Sequence, residues 1–287
     1  MTGAAPFLAV DWGTSNRRVY RVEGKEATTL ESDAKGVTAV TAFAAEVADI
    51  RARHGDLPML LAGMVGSTIG WQVASYVAAP AGIAEIAAAL LRIDARTAIV
   101  PGVAAADPPD VMRGEEVQLL GAVAAGLAPP DALLVQPGTH AKWTEMERGR
   151  IARFTTAMTG ELFALLRGHG ILAPQLAGTV SLGDAYRAGV AEGAKRDLPA
   201  SLFGIRAAKL MGARDDAEAA SFASGLLIGA DVAARLAACR QPLVHLVADP
   251  PLGDLYAAAI AAQGREPRLV DSRAAFVAGT IAIGCPS

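Results

Sequence analysis

Apolar and polar positions follow two rhythms along the chain. Short runs rich in β-branched and aliphatic residues predict strands at Phe7–Asp11, Arg17–Val22, Pro58–Ala62, Thr97–Val100, Ala132–Val135, Leu243–Val247 and Arg268–Val270. Between them, apolar positions recur at helical spacing over Thr38–His54, Ile83–Ile93, Glu115–Ala125, Thr159–Arg167, Leu182–Ala194, Asp215–Cys239, Gly253–Ala262 and Ser272–Ile283. The two signals interleave from end to end, which predicts an α/β architecture with helices covering mixed sheets. Pro129–Pro130 follows an Ala/Gly-rich helix and precedes a new strand, so it divides an expected N-terminal domain, 1–128, from a C-terminal one, 129–287.

The pattern also repeats. Leu8–Lys25 reads L-A-V-D-W-G-T-S-N-R-R-V-Y-R-V-E-G-K, and Leu133–Arg150, at a constant offset of 125, reads L-L-V-Q-P-G-T-H-A-K-W-T-E-M-E-R-G-R. Leu8 matches Leu133, Val10 matches Val135, Gly13-Thr14 matches Gly138-Thr139, and Gly24 matches Gly149. Arg17 pairs with Lys142, and Lys25 with Arg150. Each copy reads as a strand, a Gly-Thr turn, a second strand and a glycine turn, then a further strand and helix. The chain is therefore expected to hold two similar halves, each presenting one hairpin turn.

Small-residue turns let backbone N–H groups approach a ligand, and successive N–H groups form an anion nest. Gly13, Thr14, Ser15 and Asn16 in the first turn, and Gly138, Thr139 and His140 in the second, have the chemistry to grip adjacent phosphates of one nucleotide across a cleft. Asp11, at the end of the first strand, is a candidate ligand for Mg²⁺, because hard cations prefer oxygen. The segment D-V-M-R-G-E-E-V-Q-L-L-G from Asp110 places Arg113, Glu115 and Glu116 at a loop–helix junction. A carboxylate there, Glu115 or Glu116, is suited to accept a proton from a hydroxyl attacking a γ-phosphate. Arg113 is suited to pair with a substrate carboxylate or with the transferring phosphoryl group.

Composition narrows the partners. With 26 Lys+Arg against 29 Asp+Glu the formal net charge of the 287-residue chain is −3, and no basic run occurs, which argues against nucleic acid. A content of 52% hydrophobic and 19% charged residues excludes intrinsic disorder. No uninterrupted apolar stretch reaches membrane-spanning length, and the N-terminus lacks the pattern of a signal peptide. Cys239 and Cys285 are expected to be reduced thiols, and the location cytoplasmic. The abundance of alanine, and of Arg over Lys, is read as nucleotide composition of the source genome and carries no functional weight. A Walker P-loop, a G-x-G-x-x-G fingerprint, H-E-x-x-H and G-x-S-x-G are all missing.

D-W-G-T-S-N-R-R from Asp11 and P-G-T-H-A-K-W from Pro137 resemble the two phosphate motifs of the sugar kinase, heat-shock ATPase and actin superfamily. G-M-V-G-S-T-I-G-W (Gly63–Trp71), V-M-R-G-E-E-V-Q-L-L-G-A (Val111–Ala122), M-T-G-E-L-F (Met158–Phe163) and S-G-L-L-I-G-A-D (Ser224–Asp231) then resemble the 2-dehydro-3-deoxygalactonokinase family, in the expected order. The resemblance implies an actin-like ATPase fold, with two ribonuclease-H-like domains, each a duplicated mixed β-sheet with flanking helices, around a central cleft. It implies ATP- and Mg²⁺-dependent phosphorylation of the 6-hydroxyl of 2-dehydro-3-deoxy-D-galactonate in galactonate breakdown. The alternatives are a same-fold kinase for another acid sugar and a non-catalytic nucleotide-dependent switch. By analogy with related sugar kinases, Gly114-Glu115 stands where a Gly-Asp pair supplies the base, which favours Glu115 over Glu116. Gly66, Ser67 and Trp71 are implied walls of the sugar site, with Arg17 and Arg113 binding anionic groups. Ser224, Gly225 and Ala248 are implied around adenosine, although Ala248-Asp249-Pro250 replaces the glycine-rich turn common in the superfamily. The implied partners are ATP and a small acid sugar, without nucleic acid or membrane, and the chain is compatible with a homodimer.

Overall fold

The computed structural model describes residues 5–284, so Cys285 lies outside the described residues. The chain opens with β1 (Phe7–Trp12), β2 (Arg17–Glu23), β3 (Glu26–Asp33), α1 (Phe43–His54), β4 (Met59–Gly63), β5 (Tyr76–Ala78), α2 (Ile83–Ala88), β6 (Leu91–Asp94), β7 (Thr97–Ile99), β8 (Gly102–Ala106), β9 (Pro109–Met112) and α3 (Glu115–Ala124). It continues with β10 (Ala132–Gln136), β11 (Ala141–Glu147), β12 (Arg150–Ala157), α4 (Thr159–Gly168), α5 (Asp184–Gly193), α6 (Leu198–Leu210), α7 (Asp216–Leu236), β13 (Leu243–Val247), α8 (Leu252–Ala262), β14 (Glu266–Val270) and α9 (Ser272–Ile283).

Packing divides the chain into two compact units. The first comprises the chain up to Asp131, the hairpin segment Thr144–Phe154 and the chain from Asp271 onward; the second comprises Ala132–Trp143 and Thr155–Val270. This grouping differs from a single cut at Pro129–Pro130, because α9 packs along α3 and the β11–β12 hairpin is shared between the units.

In the first unit a six-stranded sheet runs β3-β2-β1-β4-β7-β6, with β1 antiparallel to β2 and parallel to β4. A five-stranded sheet, with β10, β13 and β14 in the second unit, runs β12-β11-β10-β13-β14, with β13 parallel to both β10 and β14. In both sheets the third, second, first and fourth strands lie side by side in that order, so the sequence repeat is a repeat of topology. Central strands β1, β4, β10 and β13 are almost wholly buried. That is why they read as continuous apolar runs rather than as an alternation. Leu8, Val10 and Trp12 of β1 pack with Phe43, Val47 and Ile50 of α1 in one core; Leu133, Val135, Val244 and Leu246 pack with Tyr186, Val190 and Tyr256 in the other.

Helix α7 is long and apolar enough over Glu218–Leu236 to cross a membrane by composition, yet 83% of that stretch is buried inside the protein. Much of its cover is α5. A Cβ added at Gly225 or Gly229 would overlap carbonyl oxygens of α5, and one at Gly189 or Gly193 would overlap those of α7. The two helices therefore meet backbone to backbone.

One expectation needs correction, and two features were not foreseen. The helix expected over Ile83–Ile93 ends at Ala88, and Leu91–Asp94 forms edge strand β6, because Leu91 and Ile93 alternate with polar residues against β7. A small sheet, β5-β8-β9, was not anticipated: its strands are only three to five residues long, and β8 is mostly alanine. Helix α6 was also unanticipated, since Pro199 and Gly204 interrupt its apolar pattern and Phe203 and Leu210 face outward.

Candidate active site

The first Gly-Thr turn joins β1 to β2, and every carbonyl in it is engaged by protein. The Gly13 N–H donates to the Asn16 oxygen at 2.9 Å, while the oxygens of Gly13, Thr14 and Ser15 accept from the N–H groups of Val37, Thr38 and Gly36. Thr38 Oγ1 adds a second bond to the Thr14 oxygen at 2.9 Å. With its acceptors turned into the protein, the turn has backbone donors and the exposed side chains of Thr14, Ser15 and Asn16 to offer an anion. Gly36 makes this possible: a Cβ there would overlap the Thr14 carbonyl.

Arg17 is not a substrate ligand in this arrangement, which corrects its expected role. Its side chain is wholly buried, with Nη1 on Glu46 at 2.6 Å and Nη2 on Glu31 at 2.9 Å and Asp33 at 2.7 Å. Arg53 and His54 join the ring at Glu31, and Lys35 joins it at Glu46. The exposed neighbour is Arg18, which pairs across the strands with Asp11 and brings Nη1 within 3.7 Å of its carboxylate. Strand alternation decides this: one of two adjacent arginines must point inward.

Asp11 is raised from 3.8 to about 6, chiefly by burial, with the Glu115 charge adding to the rise and Arg18 opposing it. The mutual influence of Asp11 and Glu115 brings together the end of β1 and the start of α3. Gly114 is the pivot. It stands at φ 101°, where a side chain would be strained, and its Cα lies against Gly63 at the end of β4. From there both glutamates fold back on the helix entrance: Glu115 Oε2 accepts from the Arg113 N–H at 2.9 Å, and Glu116 Oε2 from the Gly114 N–H at 2.6 Å. Glu115 is half-buried, whereas Glu116 is completely buried with Oε1 unpartnered. Burial first, then the Glu115 charge, pushes Glu116 up to about 8. Of the two, Glu115 alone reaches solvent.

Arg113 is buried beside them. Nη2 donates to the Ala74 oxygen at 2.8 Å, the guanidinium lies 4.4 Å from the centre of the Tyr76 ring, and Nε and Nη1 have no protein partner. A Cβ at Gly66 would lie 3.0 Å from Nη1, so the glycine is part of the space around the guanidinium. Ser67 Oγ donates to the Met64 oxygen at 2.7 Å, and half-buried Trp71 packs against the β1–α1 core. Gly66 and Arg113 are thus in contact, while Ser67 and Trp71 shape the same loop.

In the second unit, the turn Gly138–His140 joins β10 to β11 and is braced by the start of α4. The Glu161 N–H donates to the Thr139 oxygen at 2.9 Å, His140 Nε2 meets Glu161 Oε2 at 2.5 Å, and a Cβ at Gly160 would overlap the Gly138 oxygen. Lys142, the counterpart of Arg17, is buried with Nζ donating to Thr156 Oγ1 at 2.8 Å. A cavity of about 70 Å³ touches Gly138, with Ser224, Leu227, Ile228 and Tyr256 among its walls. Ser224 thus borders the turn. Gly225 does not: it is spent on the contact with α5, which corrects its expected place around adenosine. Ala248 follows β13, half-buried, with its carbonyl beside Gly253 at the start of α8. Among the described residues, no group of three or more His, Cys, Asp or Glu side chains is arranged to hold a metal.

Two arrangements went unnoticed in the sequence. One is Arg18, whose signal was the strand alternation. The other is Asp231, the last residue of the S-G-L-L-I-G-A-D block, which sits buried beneath the second turn.

The family model described as 2-keto-3-deoxy-galactonokinase matches residues 11–283. The 2-dehydro-3-deoxygalactonokinase of Escherichia coli K12 is 37% identical over 284 residues, covering 96% of each chain. A crystal structure from Sinorhizobium meliloti, of a protein provisionally assigned as a 2-dehydro-3-deoxygalactonokinase, superposes with a TM-score of 0.87 at 35% identity, covering 96% of this chain and 97% of that one. Component A of (R)-2-hydroxyglutaryl-CoA dehydratase from Acidaminococcus fermentans, at 10% identity and a TM-score of 0.51 over 98% and 97% of the two chains, shares the fold alone. That fold is the actin-like ATPase fold, in keeping with the duplicated sheets. Matched from β1 to α9, the chain belongs to the 2-keto-3-deoxy-galactonokinase family.

Proposed function

We propose that this chain catalyses the reaction its relatives are named for, in the cytoplasm: transfer of the γ-phosphoryl group of ATP to the 6-hydroxyl of 2-dehydro-3-deoxy-D-galactonate, giving the 6-phosphate and ADP in galactonate breakdown. The observation that carries the reading is in the first unit, where a turn with inward carbonyls, Asp11 and Glu115 meet at the rigid junction of β1, β4 and α3.

Phosphoryl transfer asks for positioning and charge stabilisation rather than covalent chemistry from the protein. Turns 13–16 and 138–140 hold nucleotide phosphates through backbone donors, and Ser224 and Ala248 stand by the nucleoside. Glu115 accepts the proton of the sugar hydroxyl as the O6–Pγ bond forms and the bond from Pγ to the bridging oxygen breaks, leaving the electron pair on ADP. Glu116, buried, supports the helix entrance and does not meet substrate. Arg113 supplies fixed positive charge to the anionic acid sugar, against the loop of Gly66, Ser67 and Trp71.

Mg²⁺ fits the residues present. A single shielded carboxylate with only a 3.7 Å contact to Arg18 suits an ion that keeps most of its waters and takes its remaining ligands from phosphates. Asp11 would hold it, and when bound the ion neutralises charge on the phosphates.

The test is ADP release with Mg-ATP against a panel of acid sugars that includes 2-dehydro-3-deoxygalactonate and its gluconate epimer. Selective turnover of the galactonate compound is expected. Turnover of a different sugar would overturn the substrate, and folded, ATP-binding protein that turns over no sugar would overturn the kinase reading.

A further inference from the structure

Beneath the second Gly-Thr turn lies a buried anion with no part in the chemistry described so far. Asp231, on α7, is 8% exposed. Its Oδ2 accepts from Trp143 Nε1 at 3.2 Å, from Thr159 Oγ1 at 3.1 Å and from Tyr256 Oη at 3.2 Å. Its Oδ1 is buried without a protein partner. A carboxylate in such a place is costly unless the groups around it repay the loss of water, so its location asks for a reason.

The three donors come from separate elements, and two of them flank the turn. Trp143 stands on β11 just after His140, and Thr159 opens α4, whose next residue, Gly160, lies against Gly138 and Thr139. Tyr256, on α8, forms with Thr159 part of the wall of the small cavity that touches Gly138. One oxygen atom thus ties the strand leaving the turn, the helix bracing it and the wall beside it to a single point on the most buried helix of the unit.

We propose that Asp231 is the positioning residue of the second phosphate turn, holding residues 138–140 in one conformation for the nucleotide phosphates. The inference rests on the reading that this turn binds phosphate. Asp231 touches no substrate; it acts through Trp143 and Thr159. A helix–helix contact alone would be served by an apolar side chain, whereas a turn that must meet an anion with fixed donors needs its two flanks tied together.

Asp231→Asn keeps the volume and one acceptor oxygen but makes the three bonds neutral, and so weaker. It should weaken ADP binding by roughly ten-fold, the size of one lost hydrogen bond to a charged group. Adenosine, which lacks phosphates, and the KM for the acid sugar should change by less than about two-fold, the scatter of distant, independent sites. Calorimetry with ADP and adenosine reads the first pair, and steady-state kinetics the sugar. Should Asp231→Asn fail to fold, Tyr256→Phe and Thr159→Val each remove one donor and carry the same prediction at about two- to five-fold.

Thr139→Asp, at an exposed position, tests the underlying reading separately by placing a carboxylate where phosphate is expected. If Thr139→Asp weakens ADP while Asp231→Asn lowers only the melting temperature, the positioning role is overturned and the phosphate reading stands. If Thr139→Asp leaves ADP binding unchanged, both are overturned. Equal losses for ADP and adenosine in Asp231→Asn would also overturn the proposal, since they would mark a collapsed cavity rather than a displaced turn.

Discussion

In the first unit the strand leaving the Gly-Thr turn carries a buried cation, Arg17, ringed by Glu31, Asp33 and Glu46. In the second unit the strand leaving the matching turn carries Trp143, which meets a buried anion, Asp231, ringed by neutral donors. The turns themselves differ little: Gly-Thr in each, with a glycine from a neighbouring segment, Gly36 or Gly160, pressed against their carbonyls. A duplicated backbone thus keeps its shape, and a buried cation, Arg17 or Lys142, at the matching strand position, while the groups around it are rebuilt: three carboxylates in the first unit, and in the second Thr156 beside Lys142 with Asp231 as an added buried acid. The geometry of the turn is the constrained quantity, and the charge beneath it is a means. What the repeat does not carry over is the acid that ends the first strand: Gln136 stands where Asp11 does, and Glu161 beside the second turn is paired with His140.

The sharpest way to break this comparison is catalytic. Glu115→Gln should lower kcat by about 10²- to 10⁴-fold while ADP still binds, the range expected for loss of a general base. His140→Ala should change the KM for ATP several-fold and leave kcat within about ten-fold, as fits a phosphate contact made equally in ground and transition states. Steady-state ADP release for both variants decides it; equal kcat losses would make the units chemically alike.

Next in size is the anchor itself. Arg17→Met should destabilise the protein by about 3–5 kcal/mol, since it leaves carboxylates crowded around an apolar chain. Urea unfolding at neutral pH reads this, and a cost below about 1 kcal/mol, the worth of an exposed ion pair, would show that the ring is ornamental.

The smallest effect is one of sign in pH. For Glu31, burial raises the pKa, but hydrogen bonds from His54 and Arg53 more than offset it; for Glu46 the bond from Arg17 leads, and both end below the ordinary 4.5. Their stabilisation is present above that value and is lost as pH falls through the lowered one. Asp231 is raised by burial, against the bonds from Trp143, Thr159 and Tyr256, so acid relieves its cost. Acidification below the ordinary 4.5 should therefore loosen the first turn by breaking the ring around Arg17, and in the second it should act as Asp231→Asn does, by making the three bonds neutral. Amide exchange reads the first turn directly: protection at Gly36 and Val37, bonded to Ser15 and Gly13, should fade as pH falls through the lowered values. Protection that persists in acid would refute the ring around Arg17 as the anchor of the first turn.

Central strands were legible in the sequence because burial on both faces leaves no alternative to apolar residues, and the offset between Gly13-Thr14 and Gly138-Thr139 exposed the duplication. The placing of Glu115 and Glu116 in the first turn of α3 was legible because acidic residues there precede a regular apolar pattern. Arg17 was misread because composition does not reveal which of two neighbouring arginines faces inward; that depends on β3 and α1 delivering acids from Glu31 to Glu46. Gly225 was misread for a related reason: a glycine wanted for helix contact and one wanted beside a ligand look the same in sequence. Asp231 could not be found from spacing, since its donors lie at Trp143, Thr159 and Tyr256, far apart along the chain. Short β5, β8 and β9 carry too little pattern to announce themselves.

The glycine seam between α5 and α7 bears on how this gene can drift. Gly and Ala codons differ at one nucleotide, and in a chain so rich in alanine that exchange is an easily reached one. At Gly189, Gly193, Gly225 and Gly229 the arriving methyl group would meet a carbonyl oxygen of the facing helix. The seam is a place where mutational supply is plentiful and acceptance is nil. A library of random single-nucleotide variants, sorted for growth on the sugar, should be depleted of these four alanines while alanine passes freely at exposed Gly204 on α6.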